Sequence, residues 1–191
     1  MHVVRRGAFL LSGILVLPFV LVSCSSGAAT CAANTNVKVT GGTISKTPGP
    51  IGPAQGVTVS AVSPATTDSS GLHLPITGGN VNNSSLIGTI NTNGGIKYAG
   101  PGGRSISFTN FSINTQNGLV SASANGQSVQ FLQVMLSTAS KSTSSNQVNV
   151  SGLASTLASA GALILNRDLA VTTFNPGVQF GTFTGGIKYS C

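Results

Sequence analysis

The stretch GTINTNGGIKYAGPGGRSISFTNFSINTQNGLVSASANG, Gly88 to Gly126, decides the fold. Apolar residues alternate there with Ser, Thr and Asn, the period of a half-buried strand, and Gly, Pro and Asn break the pattern at short intervals. GTIN runs through Asn93-Gly94 into GIKYAG, which predicts a hairpin turning at that pair. In RSISFTNFSIN, Ile106 and Phe108 share one face, whereas Phe111 and Ile113 fall on the other unless one residue is extra near Thr109-Asn110. A slip of one residue would turn the buried set outward, so the spacing predicts a β-bulge at that point. A second Asn-Gly, at 125–126, joins GLVSASA to QSVQFLQVMLS, whose phase changes again at Phe131-Leu132.

Outward from this core the same grammar continues. VKVTGGTI (Val37–Ile44), GVTVSAV, LHLPI and, at the end, VQFGTFTGGIKYS read as strands, and SKTPGPIGPAQG between the first two is a Pro/Gly loop that neither a helix nor a central strand accommodates. In SGLASTLASAGALILN, Leu153, Leu157, Ala160 and Ile164 recur at helical spacing, with Ser151 placed to cap and Asn166 to end the helix. The expectation is a mainly β fold, an antiparallel β-sandwich or curled sheet with one short helix near residues 152–165.

The chain opens MHVVRRGAFLLSGILVLPFVLVSC. Arg5 and Arg6 precede an apolar run from Ala8 to Val22, broken by Ser12, Gly13 and Pro18, which is the layout of a secretory leader rather than a membrane span. Leu21-Val22-Ser23-Cys24 resembles the bacterial lipobox. The resemblance implies cleavage before Cys24, acylation of its thiol and amine with diacylglycerol and palmitate, and an exported protein anchored to the cell membrane or envelope. The expected organisation is a signal peptide over 1–23, a lipidated N-terminus and tether over 24–36, and a single β-rich domain over 37–191. Cys31 and Cys191 remain, and in an oxidising compartment they most simply pair; the alternative is two free thiols.

Composition limits the chemistry. Asp68 and Asp168 are the only acidic residues, and His73 is the only histidine beyond the leader. Too few acids and bases are present to build an enzyme, and His and Cys are too few and too far apart for a metal cluster, so no catalytic or metal-ligating set is expected. The basic residues are scattered rather than clustered, which speaks against nucleic acid and for a weak attraction to an anionic envelope surface. PGGRS lacks the Gly-Lys-Ser/Thr end of a phosphate loop.

GGIKY occurs twice, at Gly94–Tyr98 and Gly185–Tyr189, and holds both tyrosines of the chain. One reading is structural: the glycines bend the strand, Ile packs inward and Lys faces solvent. The other is a ligand site built on Tyr98 and Tyr189. The Gly88–Gly126 run resembles the core of HtaA-type domains of exported haem-uptake proteins, in its Gly-rich approach to an aromatic strand and its G-x-L-x-A strand. That resemblance implies a β-rich scaffold and haem as ligand, bound through a Tyr and a His; Pro101 stands about where the family places its histidine. Tyr98, Tyr189, His73 and Arg104 are the candidate ligand-binding residues. Two functions follow: a non-catalytic binding module for a small apolar or amphipathic ligand, haem being the named candidate, or a surface structural or adhesion module meeting glycan or other envelope proteins.

Overall fold

The computed structural model describes residues 31–47 and 56–191; the leader, Cys24 and the centre of the Pro/Gly loop lie outside the described residues. The described residues form twelve strands and one α-helix: β1 (Asn36–Lys46), β2 (Thr58–Val62), β3 (Thr66–Asp68), β4 (Gly71–Asn82), β5 (Gly88–Thr92), β6 (Gly95–Ala99), β7 (Ser105–Asn114), β8 (Leu119–Ala124), β9 (Gln127–Val134), β10 (Ser140–Ser144), β11 (Gln147–Leu157), α1 (Ser159–Leu169) and β12 (Gln179–Ser190). All strand pairs are antiparallel, in the order β7-β5-β4-β1-β12-β11-β9-β8, and β8 pairs back onto β7. The mainly β, antiparallel expectation holds, and a sandwich or curled sheet describes the result only loosely. The sheet closes into an eight-stranded barrel. β2 and β6 extend from β7, β3 pairs with β4, and β10 pairs with β11 as additions to it.

Both predicted bulges are present and supply the bending that closure needs. Between β7 and β8 the register shifts between Thr109 and Ser112, and Asn110 takes a left-handed φ of 53°. Between β8 and β9, Val120 faces Leu132 while Ser121 faces Gln130, which leaves Phe131 as the extra residue. Phe131 and Leu132 are therefore both buried. Further register shifts, unforeseen, fall between Val39 and Gly41, Ile76 and Gly78, and Val150 and Leu153, and where Ser155 faces Gly181 and Thr156 faces Gln179, so that Phe180 is an inserted residue on β12.

The two Asn-Gly pairs behave differently. Asn125 and Gly126 both take positive φ, 51° and 78°, as a tight two-residue hairpin turn requires, and join β8 to β9. At Asn93-Gly94 only Gly94 does, with φ 72°, and the predicted hairpin does not form. β5 and β6 instead run on in the same direction, both antiparallel to β7, with Thr89 opposite Asn114 and Ala99 opposite Ser105. Gly94 is a kink, and the reversal is made by the Pro101–Gly103 turn, where the Gly100 N–H donates to the Arg104 carbonyl at 2.8 Å.

The helix is displaced from its predicted place. α1 begins at Ser159, whereas Ser151, Leu153 and Leu157 belong to β11, so Ser151 caps nothing. It ends at Ala170 in the left-handed conformation, four residues past the predicted stop. Leu165 and Leu169 are fully buried where α1 packs against β9, β7 and β6. Beneath it lies an aromatic cluster. Phe108 stacks on Phe131 at 4.0 Å between centroids, and Phe180 meets Phe131 edge-on at 5.4 Å.

Cys31 and Cys191 are joined, with their Cα atoms 5.4 Å apart. Residues 32–35, expected as tether, are stitched to the β4–β5 loop: the Asn83 side chain donates to the Ala32 carbonyl at 2.7 Å, and the Asn34 N–H donates to Ser84 Oγ at 2.9 Å. Because the disulfide spans 160 residues, the chain-entropy model assigns it up to about 5 kcal/mol. Replacing both cysteines by serine is expected to lower the unfolding free energy by about 2–5 kcal/mol in guanidinium titrations, with unchanged near-ultraviolet circular dichroism before the transition. An unchanged midpoint would show that the bridge contributes nothing.

Candidate functional site

The two copies of GGIKY adopt the same local pattern in unlike places. In each, Ile and Tyr are buried and Lys is exposed. Tyr98 sits within the aromatic cluster, edge-on to Phe108 and Phe174 with centroids 6.1 Å from each. It is 3% exposed, and burial pushes its phenol well above the usual tyrosine range. That opposes the tyrosinate form a metal ligand needs. Tyr189 lies near the C-terminal end of β12, opposite Val39, and its hydroxyl donates to the Ser145 carbonyl at 3.3 Å.

His73 is on β4, opposite Ser45 of β1, with both ring nitrogens engaged. Its Nδ1 is 2.8 Å from Ser45 Oγ, and its Nε2 lies 2.9 Å from Asp68 Oδ1. The hydrogen bond from His73, with further ones from Ser70, holds the Asp68 carboxyl well below the usual carboxylate range. This is the order of a serine–histidine–aspartate relay. Among the described residues Ser45 has a paired strand on each side, opposite Thr184 and His73, so the backbone around it is engaged in the ladders rather than turned toward a developing oxyanion. Arg104 is exposed just after the Pro101–Gly103 turn. The four candidate residues thus occupy four separate surroundings and form no common site.

The concavity is elsewhere. β9 and β11 pair over only three residues, Leu132–Val134 with Ser155–Leu157. β9 ends there at Val134, and the chain runs on through Met135, whose N–H donates to the Ala154 carbonyl at 2.8 Å, into β10, which takes over that edge of β11. A cavity of about 420 Å³ opens there into the barrel. Its wall is aliphatic, with Ile44, Ile90, Ile113, Val134, Leu153 and Ile187 from six strands, and Phe183 among them on β12. The polar side chains lining it come mainly from the loops at the open end, Ser85, Thr115 and Gln116, and Lys141 is the one charged residue. No motif marked these residues. Each is an ordinary inward strand position, and only closure makes them neighbours.

Lys46, the last residue of β1, stands opposite the cavity residue Phe183 of β12. It is 9% exposed, its ammonium sits 4.6 Å from the centroid of the Phe180 ring, and burial pushes its pKa down to about 8 from 10.5. Below pH 8 the amine is charged in both folded and unfolded chains, and the burial cost is fully present. Between about pH 8 and 10 the unfolded chain keeps the proton and the folded protein does not, so stability rises through that window. Above pH 10 the buried Tyr98 phenol reverses the trend. Lys46→Met is expected to stabilise the protein at pH 7 by about 1–3 kcal/mol and to flatten the rise between pH 8 and 10, read from urea midpoints across pH. A destabilised variant with the rise intact would mean that Lys46 is well solvated or paired.

Comparison with known proteins places the fold but no closer kinship. No family model matches the chain, and no curated protein matches it. Among solved structures, the C-terminal domain of HtaA from Corynebacterium glutamicum superposes with a TM-score of 0.58 over 81% of this chain and 99% of that domain, at 16% identity. The haem-binding protein HtaB of the same organism aligns over 82% of this chain and 96% of that one, at 13% identity and a TM-score of 0.43. The likeness to the HtaA domain is one of fold, and agrees with the scaffold that the Gly88–Gly126 run suggested.

Proposed function

We propose that this protein is a non-catalytic binding module of the bacterial envelope, exported and held to the membrane through acylated Cys24, and that the cavity between β9 and β11 is its binding site for a small apolar or amphipathic ligand. The observation that carries the reading is that cavity. It has the size of a small-molecule site, its wall is apolar, and its few polar groups stand at one end. An eight-stranded barrel encloses space for side chains or for one small ligand, and here part of that space is left unfilled.

Haem, the ligand implied by the family resemblance, does not fit the residues present. Among the described residues the lining includes no His, Tyr, Cys or Met to serve as an axial ligand. Tyr98 is walled in by phenylalanines, and His73 is engaged on the outer face of the sheet by Ser45 and Asp68. The adhesion reading asks for a broad exposed patch. With hydroxyl-rich faces meeting glycan or protein, that reading also asks for no cavity, and the apolar cavity counts against it.

N-phenyl-1-naphthylamine, an uncharged dye that brightens in apolar sites, is expected to bind the purified protein saturably. Leu153→Trp and, independently, Val150→Trp, which fill the cavity from half-buried positions, are expected to weaken it at least tenfold with little change in melting temperature. Haemin titrated in parallel is expected to give the same spectra with wild type and Tyr98→Phe. Dye binding that ignores both tryptophans would remove the cavity from the account, and a haemin shift abolished by Tyr98→Phe would restore the tyrosine site.

A further inference from the structure

The open end of the cavity is also the end at which the chain enters and leaves the barrel. Ser84 accepts from the Asn34 N–H through its hydroxyl and from Lys141 Nζ through its carbonyl. Ser85, Leu86 and Ile87, the next three residues, line the cavity. The Asn83 side chain, donating to the Ala32 carbonyl, and the Cys31–Cys191 disulfide tie the first and last described residues to this same β4–β5 loop. Six residues lie between Cys24 and Cys31, and whatever their conformation the two cysteines are no more than about 25 Å apart along the chain. A chain anchored at Cys24 consequently holds this mouth within reach of the bilayer surface. The rim is suited to that position. Ile87 is 49% exposed, and Met135, between the lining residues Val134 and Leu136, is 40% exposed.

The lining specifies the ligand more narrowly than "apolar". Ile90, Ile113, Leu153 and Ile187 offer no hydrogen-bonding side chain, so a ligand with polar atoms along its length would leave them unsatisfied. Polar groups gather in the loops at the mouth, with Thr184 on β12 the exception. Lys141 is exposed there, and no carboxylate lines the cavity to neutralise it. A tail without polar atoms and a negatively charged head meet both requirements.

We propose that the cavity takes the hydrocarbon tail of a single-chain amphiphile with an anionic head, of the fatty-acid type, drawn from the adjacent membrane surface, with Lys141 holding the head at the mouth. This rests on the cavity being the binding site, and the test separates the two claims. Bound N-phenyl-1-naphthylamine is displaced by dodecanoate, dodecanol or dodecylamine, each below its micellar concentration. Dodecanoate is expected to displace the dye at a concentration at least tenfold lower than dodecylamine, with dodecanol between. Lys141→Met should bring the acid and the amine within about threefold of each other, and Lys141→Glu should reverse their order. Leu153→Trp should abolish dodecanoate binding measured directly by calorimetry. If the dye binds and the tryptophans block it, but the three amphiphiles compete equally or Lys141→Glu changes nothing, the anionic-amphiphile proposal fails and the cavity reading stands. If the dye does not bind wild type at all, both fail.

Discussion

The pairing of β8 with β7 is the contact on which the rest of the structure depends. A twisted antiparallel sheet of this length either leaves two edges open or closes, and closure requires the strands to bend sharply without losing their inward set. The chain bends at Asn110 and around Phe131, where an added residue on one strand turns the ladder. At Asn110 the bulge keeps two neighbours, Thr109 and Asn110, out of the buried set, whereas at Phe131 it brings two, Phe131 and Leu132, into it. Phe131 uses this to stack on Phe108, so the device that curls the sheet also builds the aromatic core.

Closure divides the interior. Toward α1 the barrel is filled by Phe108, Phe131, Phe180 and Tyr98, ring against ring. Toward the chain ends the side chains are branched aliphatics, and β9 ends after pairing three residues with β11. The cavity is the space these two facts leave. Lys46 marks the boundary, a buried amine against the Phe180 ring, tolerated at a cost in stability.

Much of this was legible in the sequence because it is local. Strand period, the phase changes at Thr109-Asn110 and Phe131-Leu132, the turn at Asn125-Gly126 and the pairing of Cys31 with Cys191 each rest on a few adjacent residues or on the exclusion of other partners. What misled was equally local. Leu153 and Leu157 are four apart, a spacing that a helix face and a strand face share, and the pattern alone could not assign them. Asn93-Gly94 has the composition of a hairpin turn, but Asn93 lacks the positive φ that such a turn needs, and β7 is long enough to pair with both β5 and β6. The candidate site was not legible, because its walls come from strands that meet only through closure. Tyr98 drew notice as one of two tyrosines, yet its place inside the aromatic cluster suits packing.

The central claim is that the closed barrel keeps an empty aliphatic space at its disulfide-bonded end, and a crystal of the protein under xenon pressure tests it directly, since apolar cavities take up xenon. The account predicts an anomalous peak in contact with Ile90, Ile113 and Leu153. A barrel whose side chains fill that space, with no xenon bound there, would contradict it.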